Sequence, residues 1–354
     1  MAEGESIAQS FMTIPNGDLS GRSNRPSIGF MNWKTQRASN RKTGTNTNGS
    51  DKSALLRALN ECRAGNMKTP RPVFAMAAPA VKEVEVNGVR LQYLEQGSGE
   101  PVVFVHGLFS DHRAWEAIRD EIARKYRFIA LTQRYFGTGP WKDDGKEFSI
   151  ATFADDLAKF ITSLDAGPVH LVGWSSGGQV AATAAVNNPS LIRSLILYEA
   201  SVMSVLPADS TEGKVAREDR GRIFAPGAAA SKAGEPVKAT RLLLEAVFQL
   251  PPGGFDRELQ AFRTMGDDNA RTTPLAFAAP PPPDLTCDVL KNFTRPTLVM
   301  RGEKTQPSYV MMSEAISKCV PGAVQIVLPN VNHDGPVRDP GAFSAAVLEF
   351  LSKQ

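Results

Sequence analysis

Ser175 stands between Gly173 and Gly177 in the run Leu171-Val172-Gly173-Trp174-Ser175-Ser176-Gly177-Gly178, a G-x-S-x-G pattern. A short apolar strand over 169–172 leads into it, and an alanine-rich helix leads out toward Asn188-Pro189. A strand-to-helix turn this sharp drives Cβ atoms two residues either side of the serine into collision. Glycine at both offsets removes the clash and lets the serine Oγ protrude. The first amides of the following helix aim at the same point, where an anionic intermediate would sit. These are the requirements for nucleophilic attack on a carbonyl. Only Ser175 meets them; the adjacent Ser176 lacks a glycine on its N-terminal side.

A serine hydroxyl is almost wholly protonated at neutral pH and needs a base within hydrogen-bond reach. The chain has four histidines. His170 lies inside a strand and reads as a satisfied core residue, and His112 precedes a helix and is expected to be exposed. His333 is the best base, because the apolar run 324–328 ends in the loop Pro329-Asn330-Val331-Asn332 that delivers it, ahead of a closing helix. The fourth, His106, follows the buried-strand pattern Pro101-Val102-Val103-Phe104-Val105 in a His-Gly loop, His106-Gly107-Leu108-Phe109.

In chain order, the His-Gly loop, the serine turn and the late histidine resemble the α/β-hydrolase superfamily, over roughly residues 81–351. The resemblance implies a mostly parallel central sheet flanked by helices, with a helical lid inserted. On that layout, 81–95 is an opening hairpin turning at Asn87-Gly88, a strong hairpin dipeptide. Strands follow at 128–131, 191–198, 296–300 and 324–328, and helices at 150–163 and 340–351. Residues 76–201 and 290–354 are the expected core.

Residues 202–289 are the expected lid, since the bare fold needs only a crossover helix there. Helices are expected at 239–248 and 255–265, followed by a stiff proline return at 280–283. Phe248, Phe262, Met265 and Phe277 could line an entrance or simply pack the lid. Trp174 and Trp141 could line the pocket or be buried scaffold.

The resemblance also carries roles. His106 packs the loop, and the backbone N–H groups of Leu108 and Ser176 form the oxyanion hole, with Phe109 a substitute for Leu108. The family usually places its acid after the strand 297–300, but Gly302-Glu303-Lys304-Thr305 puts threonine at the Asp position. Relatives laid out like haloalkane dehalogenases carry the acid one strand earlier. There Leu197-Tyr198-Glu199-Ala200 offers Glu199, a carboxylate costly to bury unless something uses it. Glu199 is the expected acid, with Glu303 next.

With Ser175 as nucleophile, the chain departs from dehalogenases and epoxide hydrolases, which use an aspartate there. The resemblance therefore implies a cofactor-independent serine hydrolase that cleaves a small or medium apolar ester through an acyl-enzyme. Carbon–carbon bond hydrolysis, acyl transfer and peracid formation use the same triad, and a non-catalytic ligand receptor uses the same scaffold.

Composition agrees with one substantial globular unit plus an appendage. At 354 residues and 42% hydrophobic content, the chain can bury a sizeable core. No 18-residue apolar run exists, so no membrane span is expected. Residues 1–75 hold 11 Lys/Arg against 5 Asp/Glu, whereas the rest holds 29 against 32. The main body thus has no basic nucleic-acid footprint.

The basic stretch 1–75 reads as a disordered extension with a short helix at 53–62, or as an untranslated leader if synthesis starts at Met76. It lacks a secretory h-region, and Glu3 and Glu5 are unlike a transit peptide, so a cytoplasmic location is expected. Cys62, Cys287 and Cys319 have no C-x-x-C spacing and read as free thiols, with no metal site and no disulfide.

Overall fold

Short β-branched runs closed off by Gly, Pro or Asn set the strands of this chain. A computed structural model describes residues 79–354; the expected extension at 1–75, its helix at 53–62, Cys62 and the Met76 start lie outside the described residues. β1 (Ala80–Val86) and β2 (Val89–Gln96) form an antiparallel hairpin with Val86 opposite Val89. Its turn residues Asn87 and Gly88 both have positive φ, 48° and 69°, as a two-residue turn that follows strand twist requires.

β3 (Pro101–Val105), β4 (Arg127–Leu131), β5 (Val169–Trp174), β6 (Ile192–Tyr198), β7 (Thr297–Gly302) and β8 (Val324–Leu328) complete an eight-stranded sheet in the order β1-β2-β4-β3-β5-β6-β7-β8. From β4 to β8 all neighbours pair in parallel. Every residue of β3 and β5 is buried, as expected for strands covered on both faces. β8 is the edge, and Val324 and Val327 remain 49% and 41% exposed.

α1 (Glu116–Ala123), α2 (Ile150–Ser163) and α3 (Ser176–Asn187) connect the first strands. Ser149 caps α2 by accepting from the Thr152 N–H, which sets its start where the sequence pattern does. Between β6 and β7 the chain forms α4 (Thr211–Lys232), α5 (Pro236–Val247), α6 (Gln260–Asn269), α7 (Thr273–Ala278) and α8 (Cys287–Leu290). α9 (Pro307–Cys319), α10 (Gly335–Arg338) and α11 (Pro340–Leu351) complete the fold. α2 packs on α3, and α11 on α1. Among the described residues no helix is long and apolar enough to cross a membrane.

Three local expectations change. The segment 255–265 is not one helix: a 3-10 turn at Phe255–Arg257 precedes α6, with Glu258 and Leu259 extended between them. α4 has no counterpart in the sequence reading. Its buried stripe is Gly213, Ala216, Asp219, Ile223, Gly227 and Ala230, small residues rather than large apolar ones, and Pro226 sits inside it. Small residues let α4 approach α5 closely, since a Cβ at Gly227 would strike the Leu243 side chain.

The third change concerns the cysteines. Cys287 and Cys319 are not free thiols but form a disulfide, with Cα atoms 5.0 Å apart and a sequence separation of 32. The pairing joins the ends of α8 and α9 and is a product of tertiary packing, which no local spacing encodes.

Candidate active site

Ser175 sits where β5 breaks into α3, at φ 58° and ψ −124°. This strained conformation is held by backbone hydrogen bonds. The Ser175 N–H donates to the Tyr198 carbonyl at 3.0 Å, and the Ser175 carbonyl accepts from Gly178 and Ser201, both at 3.0 Å, and from Gln179 at 3.3 Å. A Cβ at Gly173 would lie 2.6 Å from the Gly177 carbonyl oxygen, and one at Gly177 would press on the carbonyls of Val105 and His106. Both glycines are therefore dictated by close approach, as their offsets from the serine suggest.

The loop after β3 meets this turn. Gly107 lies against Ser175, where an added Cβ would be 3.1 Å from that of the serine. His106 is fully buried, its Nδ1 2.8 Å from the Gly107 carbonyl and its Nε2 accepting from the Gln133 N–H at 3.1 Å. The carbonyl fixes the proton on Nδ1, and burial depresses the imidazole pKa to about 4, so the ring is a neutral strut. Among the described residues neither the Leu108 N–H nor the Ser176 N–H has a backbone acceptor.

His333 follows β8 in a loop tied down at several points. Trp174 Nε1 donates to the His333 carbonyl at 3.0 Å, Tyr198 Oη to the Asn332 carbonyl at 2.5 Å, and Asn332 Nδ2 to the Phe248 carbonyl at 2.8 Å. Its Nδ1 lies 2.6 Å from Glu199 Oε2. Both residues are buried, with His333 2% and Glu199 0% exposed.

Glu199 ends β6 at φ 43°. Its Oε1 accepts from the Gly302 N–H and its Oε2 from Thr305 Oγ1, both at 2.8 Å. Three donors thus meet one buried carboxylate, as such a charge requires. Thr305, which breaks the expected acid motif, helps to hold the carboxylate on the neighbouring strand. Glu303 is exposed and accepts from the Asn330 N–H at 2.9 Å. Asp334, next to His333, is raised by burial and held by Arg338, whose Nε donates to it at 2.9 Å.

Ser175 opens onto two cavities. The smaller is lined by His333, Trp174, Phe248, Phe262 and Met265 among others. The larger, about 430 Å³, runs past Ser176, Phe277 and Pro280. Trp174, Phe248, Phe262, Met265 and Phe277 thus all line the space around the serine. Trp141 does not: it borders a different cavity, with its Nε1 donating to the Tyr135 carbonyl. His112 is half-buried rather than exposed, its Nδ1 2.7 Å from Thr132 Oγ1. His170 is buried and bonded to Ser194 Oγ at 2.7 Å, as a core histidine should be.

Three side chains at this site were not foreseen. Tyr309, on α9, stacks on the His333 ring with centroids 4.1 Å apart and planes inclined by 20°. Burial raises its pKa, so the phenol stays protonated; its hydroxyl accepts from an Arg220 Nη at 2.9 Å, and the residue lines the smaller cavity together with Ser175. Arg220 comes from α4, with Arg217 on the same face. A tyrosine and two arginines on unannounced helices carry no short sequence signal.

The chain matches the model of the alpha/beta hydrolase family over residues 102–346. It is 26% identical over 279 residues to the 2-(acetamidomethylene)succinate hydrolase of Mesorhizobium japonicum, covering 76% of this chain and 94% of that one. An esterase from Thermogutta terrifontis superposes with a TM-score of 0.61 at 24% identity, over 77% of this chain and 98% of that one. An esterase from Rhodococcus sp. ECU1013 does so with a TM-score of 0.62 at 23% identity, over the same shares. At such identities the two structures speak to the fold alone. The family match spans well over half the chain and coincides with the strand order and serine turn described above, so this protein belongs to the alpha/beta hydrolase family and is an enzyme of hydrolase type.

Proposed function

We propose that this enzyme is a serine hydrolase that cleaves a small or medium, largely apolar carboxylic ester through an acyl-enzyme. The observation that carries the reading is the buried Glu199–His333 bond of 2.6 Å, with His333 lining the same cavity as Ser175. In this reading Ser175 Oγ attacks the ester carbonyl while His333 Nε2 takes its proton. Glu199, bonded to Nδ1, selects the tautomer with Nε2 free and stabilises the imidazolium that forms. The Leu108 and Ser176 amides receive the developing oxyanion, and one such donor is typically worth about 2.7–4 kcal/mol. His333 then protonates the leaving alcohol. A water attacks the acyl-enzyme by the same route, and Ser175 regains its proton.

Residues 202–289 act as a lid over a core of 76–201 and 290–354, since Phe248, Phe262 and Phe277 come from that insertion and border the serine. The apolar lining favours an acyl or alcohol portion with hydrocarbon character. The relative from Mesorhizobium japonicum is named for a hydrolysis on a substituted succinate, and the two structural relatives are called esterases. Threonine at the usual acid position would favour the receptor alternative, but it carries little weight where Thr305 donates to Glu199. The Cys287–Cys319 disulfide favours an oxidising compartment over the cytoplasm.

A fluorophosphonate probe tests the reading. A covalent adduct at Ser175 on wild type, abolished in Ser175→Ala, is the expected result. Absence of an adduct on folded wild-type protein refutes an activated nucleophile.

A further inference from the structure

Arg217 and Arg220 stand three residues apart on one face of α4, and both line the 430 Å³ cavity that opens from Ser175. Neither has a carboxylate partner among the described residues. Arg217 donates to the carbonyls of Gly213 at 2.9 Å and Leu206 at 3.2 Å. Arg220 donates to Tyr309 Oη at 2.9 Å and lies 4.3 Å over the Phe224 ring and 5.4 Å from that of Tyr309. Carbonyls, a phenol and ring faces position the two guanidinium groups and leave their charge uncancelled.

The nearby acids are engaged elsewhere or set apart. Asp219 accepts from the Ser308 N–H at 3.0 Å and pairs with Arg222. Glu199 is committed to His333, Gly302 and Thr305. Asp284 borders the same cavity but is exposed and makes no ion pair among the described residues. Two cations thus face a mostly apolar space whose wall includes the proposed nucleophile, and charge there is screened less than at an open surface.

We propose that Arg220 and Arg217 form a carboxylate-binding subsite, so that the substrate is an ester carrying a free carboxylate a few carbons from the scissile carbonyl. The reach follows from the contacts. Arg220 holds Tyr309 Oη, Tyr309 stacks on His333 and lines the smaller cavity with Ser175, and Arg220 and Ser175 both border the 430 Å³ cavity. An acid joined to the carbonyl by about two to four methylenes fits between two walls of a cavity of that size, and the guanidinium fork suits it bidentately. The subsite deepens the ester-hydrolase reading, because the hydrocarbon segment between the two ends meets the apolar walls.

The inference as to turnover rests on that reading; the inference as to binding does not. With acid release followed in a pH-stat, wild type should cleave monomethyl glutarate with a kcat/KM about tenfold or more above that of dimethyl glutarate. Arg220→Gln should bring this ratio near one, mainly through KM, and Arg217→Gln should lower it in the same direction. Preference for the diester, or a monoester preference that survives in both variants, overturns the subsite.

Calorimetry with glutarate supplies a readout without chemistry. Glutarate should bind Ser175→Ala, and binding should weaken about tenfold or more when Arg220→Gln is added. No glutarate binding overturns the subsite. Binding with neither ester turned over overturns the ester reading and leaves the subsite standing.

Discussion

The strand ends and the face of α4 approach Ser175 from opposite principles of construction. At the strand ends each group is gripped by backbone. Ser175 is locked by four main-chain hydrogen bonds, Glu199 accepts from the Gly302 amide, and the His333 loop is pinned by Trp174 and Tyr198. On α4, Arg217 and Arg220 are long side chains steered by carbonyls and a phenol, with charge left over. The contrast teaches where tolerance lies. A parallel sheet fixes reacting groups to fractions of an ångström, whereas a helix in the insertion can exchange side chains without moving them. On the proposed reading, chemistry belongs to the first region and selectivity to the second.

The largest effect that would break this contrast concerns the strand ends. Ser175→Ala should lower kcat by about 10⁴–10⁶-fold, and Glu199→Gln by about 10⁴-fold through the wrong imidazole tautomer, with thermal unfolding little changed in the serine variant. Steady-state kinetics beside melting curves would check both. An active Glu199→Gln enzyme would move the acid to Glu303.

Next comes the link between the two regions. The disulfide closes a loop of 32 residues from α8, in the insertion, to α9, in the core. Reduction should cost about 3–4 kcal/mol of stability on chain-entropy grounds. Denaturant unfolding with and without reductant measures it, and an unchanged midpoint would show that packing alone holds the regions together.

Of similar size is the acid limb of stability. Burial lowers the His106 pKa from 6.5 to about 4, so the unfolded chain binds the extra proton more readily. The contribution is whole above pH 6.5 and is lost as pH falls toward 4, by about 3 kcal/mol for one group. Melting temperatures across that window should fall with pH, and less steeply in His106→Asn.

The smallest effect sharpens the comparison within the strand ends themselves. Thr305→Val removes one of three donors from Glu199 while the Gly302 amide remains. A drop of about tenfold in kcat/KM is expected, since a hydrogen bond to a charged group is worth about 1.5–3 kcal/mol. A drop as deep as that of Glu199→Gln would mean that the threonine, and not the backbone, orients the acid.

Much of the fold was legible because it is written in local patterns. The hairpin falls at the Asn87-Gly88 dipeptide and β8 on its apolar run, while α2 and α11 fall where the family layout places them. α4 was not, because its buried stripe is made of Gly and Ala, which look like a linker until another helix lies against them. The turn at Phe255–Arg257 reads as helix in the sequence because a run of eleven residues shows apolar spacing without showing where backbone hydrogen bonds stop.

The sequence by itself determined the serine, its two glycines and the strand that presents them, since sterics of neighbouring residues settle such a turn. It also determined that His333 would arrive late, in a loop after a strand. Only the tertiary structure decided that Glu199 and not Glu303 meets that imidazole, that Thr305 supports it, that Cys287 finds Cys319, and that Arg220 reaches Tyr309 beside the serine. The physical reason is common to all four. These are contacts between residues far apart in the chain, and their energies depend on which surfaces the packed sheet and helices bring within a few ångströms of one another.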